Sequence, residues 1–194
     1  MTQTAAAIVW FAGLVAWTII RYPFERRAKK VGVETSLFDR REASLLVLSL
    51  IGLFFIPATY ALTGFPAALD RPFVPWIAWL GIVPEVAALW LFRRTHTDLG
   101  RQWSISLELR KEHALVTRGV YHHIRHPMYT SFFLLGAAQA LLLANWLAGL
   151  AGIAGAAVLY GFRVAREERM MLERFGDDYR TYMARTKRIV PWVI

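Results

Sequence analysis

The sequence predicts an all-α integral membrane protein with five transmembrane helices, the last two forming a C-terminal helical hairpin that is followed by a cytoplasmic amphipathic tail helix. Of its 194 residues, 56% are hydrophobic and only 19% are charged, so the chain is more apolar and less charged than a typical soluble domain. It nevertheless carries a formal net charge of +9. The basic residues are separated from long apolar segments, which is the pattern of a membrane-spanning chain.

Four apolar segments define the predicted helices. Residues 1–20 and 43–69 contain no charged side chain, and residues 72–92 contain only Glu85. Each of these segments is long enough for one span, which needs about 20 residues. The uncharged segment of residues 127–162 is too long for one membrane-spanning helix. Asn145 and Trp146 near its centre predict a turn between two arms of roughly 16 to 18 residues.

The basic residues predict the orientation of the chain. All but one of the 23 Lys and Arg residues fall within residues 21–42, 93–126 and 163–188, and Arg71 lies alone on the opposite side. Because basic residues favour the cytoplasmic side, we expect a non-cytoplasmic N-terminus and a cytoplasmic C-terminus. This distribution explains the positive charge through topology and excludes nucleic acid as the expected partner. The absence of cysteine excludes disulfides and thiolate sites.

The whole chain, residues 1–194, is predicted to form a single domain. Residues 1–92 supply three N-terminal spans, and residues 93–194 supply the polar segment, the hairpin and the tail. Within the hairpin, Gly152 lies four residues after Ala148 and four before Ala156. This stripe of small residues predicts close helix packing.

The tail, residues 163–183, is predicted to form an amphipathic helix. Its apolar residues recur at spacings of three, four and seven, which places them on one helical face. We expect Gly176 to break this helix into two pieces. The apolar face consists of Val164, Met171, Leu172, Phe175, Tyr179 and Tyr182.

Functional side chains flank the hairpin at both ends. Arg125 and His126 precede the uncharged segment, and Arg163, Glu167 and Glu168 follow it. Because a helical hairpin brings its two ends together, we expect these groups at the mouth of a membrane cavity, where charges tend to mark function. Taken singly, each arginine could instead be an anchor at the membrane interface, and the two glutamates could belong to a solvated helix face.

Histidines raise the alternative of a metal site. Four of them lie within residues 113–126, and His122 and His126 have the i, i+4 spacing of a helical ligand pair. Pro127 interrupts that helix, however, and no second cluster with metal-ligand spacing exists. No metal site is therefore predicted. For Glu85 and Gln139, which lie inside spans, a structural partner on a neighbouring helix is favoured over a ligand.

The polar segments resemble the signature of the isoprenylcysteine carboxyl methyltransferase family. Residues 113–129 read HALVTRGVYHHIRHPMY, and the family pattern is roughly H-x-L-V-x-x-G-x-Y-x-x-x-R-H-P-x-Y. The second half of the signature follows the hairpin: Arg163 stands four residues ahead of Glu167, and residues 175–182 read FGDDYRTY. The match covers about the last 90 residues. The five-span length is similar to that of small prokaryotic members, which implies a prokaryotic cytoplasmic membrane.

The resemblance implies a site for S-adenosyl-L-methionine. Glu167 would take the ammonium group of this cofactor, and Arg163 matches a position that contacts the methyl acceptor. Arg125 and Glu168 are the other charged members of the motifs and the remaining candidate catalytic residues. Eukaryotic members have a glutamine near the position of Ser106, so we expect the cofactor contact at this position to differ here. The implied cofactor-binding residues are His113, Leu115, Val116, Tyr121, His126, Pro127, Met128, Tyr129 and Glu167.

The implied activity is methyl transfer to a lipidic acceptor that enters from the bilayer, between the third span and the hairpin. An isoprenylcysteine-like carboxylate needs no general base, and an arginine suits it. An amine acceptor, as in a phospholipid N-methyltransferase, would need a base such as Glu168 or His126. A non-catalytic membrane binding or transport protein and a haem- or metal-containing redox protein are the alternatives from other classes.

Overall fold

The computed structural model describes residues 1–30, 33–36, 38–104, 108–110 and 114–191. Within these residues the chain forms five long helices and one pair of short strands. The strands β1 and β2 are antiparallel and pair Ser36 with Glu108, an element that the sequence analysis did not predict. The elements are α1 (Gln3–Ala28), β1 (Val33–Ser36), α2 (Arg40–Thr63), α3 (Pro75–Leu99), β2 (Glu108–Arg110), α4 (Pro127–Leu142) and α5 (Trp146–Arg185).

Four of these helices are long and apolar enough to cross a membrane: α1, α2, α5, and α3 with the short 3-10 turn that extends it to Gln102. These helices support an integral membrane protein. Helix α4 is apolar but has only 16 residues, a length of about 24 Å at 1.5 Å per residue. The hydrocarbon core is about 30 Å thick, so a fifth complete span stays a prediction.

The predicted turn between the hairpin arms is confirmed. Asn145 lies between α4 and α5 and caps α5, because its Oδ1 accepts a hydrogen bond from the Ala148 backbone N–H at 3.0 Å. Its Nδ2 donates to the Asp70 carboxylate at 2.9 Å. The guanidinium of Arg71 donates to the carbonyls of Ala140 and Leu143, so this isolated basic residue binds the C-terminal carbonyls of α4.

Helix α2 contains one turn of π-helix over Ile51–Phe55, just ahead of Pro57. Pro57 has no N–H to donate to the preceding turn, and the π turn leaves the Gly52 carbonyl free to accept from elsewhere. The Nε2 of Gln139 donates to it at 3.2 Å. The expected interhelical hydrogen bond of Gln139 is therefore confirmed.

Small residues bring α2, α4 and α5 into close contact, as the stripe in α5 predicted. A Cβ on Gly136 would lie 2.7 Å from the backbone nitrogen of Ile153, and one on Gly152 would lie 2.8 Å from Oε1 of Gln139. A Cβ on Gly155 would lie 3.3 Å from Cα of Ser49. The absence of side chains at these positions is thus what sets the distances between the helices.

The tail is not a separate helix but the continuation of α5 beyond the apolar segment. The helix bends at Gly176, where φ is 52° and ψ is −121°, a conformation that glycine adopts without a steric penalty. Beyond the bend, Tyr179 and Tyr182 are buried. The predicted break at Gly176 is therefore a bend that turns the apolar face of the tail against the rest of the molecule.

Glu85 lies buried in α3 against α1, in space that Gly13 leaves open because it has no Cβ. Its Oε2 has no hydrogen-bond partner among the described residues. The polar partner that the sequence analysis favoured for Glu85 is thus not found in that part of the chain.

We expect Gly136→Ala to lower the thermal unfolding temperature in detergent, because the added methyl group would meet the backbone of α5. Overpacking of this kind costs about 1–3 kcal/mol. Gly161→Ala is the matched control: nothing lies within 4 Å of a Cβ there, and alanine favours a helix by up to about 1 kcal/mol. Equal unfolding temperatures for the two variants would contradict this account of α4–α5 packing.

Candidate active site

A cavity of about 470 Å³ lies at the end of the molecule where the two hairpin ends meet. Every long helix contributes to its lining, together with the segments that precede and follow β2. Part of the wall is apolar and comes from the interior of the spans, chiefly from α2. The remainder carries charged and polar groups from the helix ends and the connecting segments. The apolar wall includes Trp17, Leu46, Leu50, Leu53, Phe54, Phe132 and Leu159.

One face of α5 runs along the cavity. Leu159, Arg163 and Glu167 all line it, and their spacing of four residues places them one above the other. Successive members are separated by about 6 Å along the helix axis, given a rise of 1.5 Å per residue. The face therefore presents an apolar group, a cation and a carboxylate in that order.

The carboxylate of Glu167 is held from the α4 side. The Tyr129 hydroxyl donates to its Oε2 at 3.0 Å, and His126 Nδ1 lies 3.7 Å from its Oε1. The Pro127 ring at the first position of α4 fits that position because no backbone N–H is needed there. The start of α4 thus places Tyr129 and His126 against a carboxylate that faces the cavity.

Glu168, the next residue, is the centre of a charge cluster that is buried except at Arg188. Its Oε1 pairs with Arg125 Nε at 3.1 Å and with His126 Nε2 at 3.2 Å. Its Oε2 accepts from Arg188 Nη2 at 2.6 Å. The side chain of Glu168 is only 5% exposed, and a buried charge requires such pairing. We call these four residues the Glu168 cluster.

Burial lowers the pKa of His126, but the neighbouring carboxylates Glu167 and Glu168 outweigh it and raise the pKa above its ordinary value. The imidazolium form is thereby favoured. Both ring nitrogens of this form are donors, which suits a ring with carboxylates on two sides.

Arg125 also binds backbone groups at the C-terminal end of α5. Its Nη1 donates to the carbonyls of Met183 and Thr186, and its backbone N–H donates to the Lys187 carbonyl at 2.8 Å. Cationic groups stabilise the C-terminal end of a helix. Arg125 therefore ties the segment before α4 to the segment after α5.

Arg163 pairs with a residue that the sequence analysis did not identify. Its Nε lies 3.1 Å from Oε1 of Glu42, in the first turn of α2. The side chain of Arg163 is 11% exposed and that of Glu42 is fully buried. Arg163 is therefore a buried group in the cavity wall and not an anchor at the membrane surface.

Tyr121 is positioned by the glycine of the motif. Gly119 has a φ of 63°, and a Cβ there would overlap the Asp98 carboxylate, which accepts from the Val120 N–H at 2.9 Å. The Tyr182 hydroxyl donates to the Tyr121 carbonyl at 2.6 Å. Burial raises the pKa of Tyr121 well above its ordinary value, so the phenol in the cavity wall is neutral.

The structure brings most of the predicted site residues together around the cavity. Glu168 is not among the lining residues; it lies behind them in its cluster. His113 and Ser106 lie outside the described residues. The predicted residues that line the cavity are Leu115, Val116, Tyr121, Arg125, His126, Pro127, Met128, Tyr129, Arg163 and Glu167.

Glu42, Arg188 and Gln102 were not predicted from the sequence as site residues. Gln102 lines the cavity, and its Oε1 is buried without a hydrogen-bond partner among the described residues. Glu42 carried a usable signal, since it is an acid directly after Arg40 and Arg41 at the start of an apolar segment. Within the described residues, no group of three or more His, Asp or Glu side chains is placed to hold a metal ion.

We expect the stabilising effect of His126 to depend on pH. Its pKa is raised in the folded protein, so the stability that it contributes is fully present below its unfolded pKa of about 6.5. That contribution is lost as the pH rises through the higher folded pKa. The difference in unfolding temperature between wild type and His126→Gln should therefore shrink as the pH increases above 7. A difference that grows with pH would contradict the charged pairing.

The model of the isoprenylcysteine carboxyl methyltransferase family matches residues 79–173. Protein-S-isoprenylcysteine O-methyltransferase B of Arabidopsis thaliana is 31% identical over 123 residues, which cover 61% of each chain. Methanethiol S-methyltransferase 1 of Bradyrhizobium diazoefficiens is 34% identical over 74 residues, or 38% of this chain and 25% of that protein.

A solved structure has a similar fold. It is that of a eukaryotic intramembrane Ras methyltransferase, an isoprenylcysteine carboxyl methyltransferase, and it superimposes with a TM-score of 0.58 at 23% identity. The alignment covers 96% of this chain and 63% of that one. The matched part of this chain thus spans about three fifths of the length of the Arabidopsis protein and of this solved structure. The family match and the similar relatives confirm the resemblance seen in the motifs, and residues 79–173 relate this chain to the isoprenylcysteine carboxyl methyltransferase family.

Proposed function

We propose that the protein is an integral membrane methyltransferase that uses S-adenosyl-L-methionine and acts on a lipidic acceptor, the favoured acceptor being an isoprenylcysteine-like carboxylate. The order of side chains along α5 carries this proposal. An apolar group, a buried cation and a carboxylate follow one another on the cavity wall, at Leu159, Arg163 and Glu167. This order matches a lipid tail, an acceptor carboxylate and a cationic methyl donor.

The polar part of the cavity fits the donor. Glu167 is a carboxylate suited to an ammonium group, and Tyr129 keeps it oriented. Leu115, Val116 and the neutral Tyr121 provide apolar and aromatic walls for an adenosine, while Gln102 offers an acceptor that no described residue binds. When bound, the cofactor supplies an electrophilic methyl group; the chain's own residues orient the donor and exclude water.

The apolar part of the cavity fits a lipid. The charged and apolar walls belong to one cavity, so a lipid tail there places its polar head near Arg163. From the sequence, we expect the acceptor to enter between the third span and the hairpin. The apolar wall comes instead mainly from α2, and α3 contributes only Leu99 near its end. We therefore propose access along the α2 side of the cavity.

The environment of the candidate bases favours a carboxylate over an amine acceptor. An amine must lose a proton, for which Glu168 or His126 would serve. Glu168 is occupied by its cluster and does not line the cavity, and the raised pKa of His126 favours the imidazolium form, which has no free lone pair to accept a proton. A carboxylate needs only a cation to hold it. Arg125 and Glu168 then serve as positioning residues, and Arg163 contacts the acceptor.

We place the cavity at the cytoplasmic side of the membrane, with the N-terminus on the opposite side, and favour a prokaryotic cytoplasmic membrane. The distribution of basic residues supports this orientation. A polar methyl donor then reaches the charged part of the cavity from the cytoplasm, and the lipid reaches the apolar part from the bilayer.

Methyl transfer from radiolabelled S-adenosylmethionine tests the proposal in detergent-purified protein. The acceptors compared are a prenylated cysteine analogue and phosphatidylethanolamine. We expect label on the prenylated cysteine that is released by mild base, since a methyl ester is base-labile. Base-stable label on the phospholipid would establish an amine methyltransferase instead. Absence of transfer to either acceptor, with no cofactor binding, would favour a non-catalytic membrane protein.

We expect Glu167→Ala and Arg163→Ala to affect different ligands. Glu167→Ala should weaken the binding of S-adenosylhomocysteine at least about tenfold, because it removes the partner of a buried cation. Arg163→Ala should leave that affinity within about threefold while lowering kcat/KM for the acceptor about 100-fold or more. Calorimetry and acceptor kinetics measure the two effects, with the exposed Glu173→Ala as the control. Equal losses of cofactor affinity would contradict these roles.

A further inference from the structure

The buried pair between α2 and α5 adds a residue to the proposed acceptor site. Two ion pairs join the start of α2 to α5. Asp39 pairs with Arg166 at 3.0 Å at the exposed side, and Glu42 pairs with Arg163 at 3.1 Å at the buried side. The two acids and the two arginines are each three residues apart, so they form two rungs of one ladder between the helices. Only the buried rung reaches the cavity, through Arg163.

The surroundings of Glu42 fix its carboxylate. The side chain is fully buried, and the Asp39 side chain caps the helix by accepting from the Glu42 backbone N–H at 2.7 Å. Glu42 therefore projects from a capped first turn. Because a carboxylate buried in this way requires a cation beside it, Glu42 and Arg163 constrain each other.

The geometry of the pair limits hydrogen bonding between Arg163 and Glu42. Nε of Arg163 and both carboxylate oxygens of Glu42 have no aligned hydrogen-bond partner among the described residues, although the charged atoms lie 3.1 Å apart. The contact is therefore chiefly electrostatic. A guanidinium has five N–H donors, and a second carboxylate in the cavity can bind them while Glu42 stays in place.

We propose that Glu42 is a positioning residue for Arg163: it holds the guanidinium at the cavity wall and leaves its donors free for the acceptor carboxylate. This inference rests on the proposed role of Arg163 in acceptor binding. Glu42 does not itself contact the acceptor. Its effect is to keep the cation in one place, because a displacement of about 1 Å can reduce a rate by up to about 100-fold.

The test compares Glu42→Ala, Glu42→Gln and Arg166→Ala in acceptor kinetics and in calorimetric titration with S-adenosylhomocysteine. Glu42→Ala should lower kcat/KM for a prenylated cysteine analogue about 10- to 100-fold, with cofactor affinity within about twofold of wild type. Glu42→Gln should recover part of this loss, because its amide oxygen can lie beside Nε. Arg166→Ala breaks the exposed rung. Its kcat/KM for the acceptor should stay within about threefold of wild type, since exposed pairs contribute little.

A double-mutant cycle separates positioning from a general structural role. If Glu42 acts through Arg163, then Glu42→Ala added to Arg163→Ala should cost less than about threefold more than Arg163→Ala alone. Additive losses would overturn the inference, as would equal losses of cofactor and acceptor affinity in both Glu42 variants. If Glu42→Ala fails to fold, Glu42→Gln replaces it in the test. A loss of kcat/KM for the acceptor with intact cofactor binding would then support the positioning role, and an unchanged kcat/KM would overturn it.

The same experiment distinguishes this inference from the proposed function. Absence of methyl transfer and of cofactor binding in wild type would refute the function itself. Transfer by wild type, together with Glu42 variants that behave like Arg166→Ala, would refute only the positioning role of Glu42.

Discussion

The pairing of one buried carboxylate with three cationic side chains is the interaction on which the site depends. Glu168 binds Arg125 and His126 from the segment before α4 and Arg188 from the segment after α5. Three stretches of chain that are distant in sequence are thereby fixed at one point. Without this carboxylate, only Glu167 beside His126 would oppose the three cations, which is costly for the buried Arg125 and His126. The cluster thus closes the hairpin at its charged end, as Asn145 and Arg71 close it at the other.

The two adjacent glutamates divide structural and ligand-binding tasks because of helix geometry. Neighbouring residues in a helix point about 100° apart, so Glu168 faces the cluster while Glu167 faces the cavity. Glu167 keeps one hydrogen bond from Tyr129 and remains available to a cationic ligand. Arg163, one turn earlier, is balanced by Glu42. The cavity therefore contains charges that are each held in place, and this arrangement suits chemistry in which positioning contributes most of the rate.

Sequence patterns were sufficient for features that depend on local periodicity and chain connectivity. The charge-free segments predicted the helices, and Asn145 predicted the turn. The hairpin predicted that Arg125 and His126 lie close to Glu168. The pair between Glu42 and Arg163 was beyond reach, because it depends on how α2 packs against α5. The same packing explains why α2, and not α3, forms the apolar wall. Short strands such as Val33–Ser36 give too weak a pattern to predict.

Calorimetric titration with S-adenosylhomocysteine, in wild type and in Glu168→Gln, tests the central claim most directly. The claim is that Glu168, a carboxylate behind the residues that line the cavity, holds the proposed methyl-donor site in place. We expect saturable binding by wild type and an affinity lower by about tenfold or more in a folded Glu168→Gln protein, because the amide cannot balance three cations. No binding by wild type up to millimolar ligand, or equal affinities in the two proteins, would contradict the account.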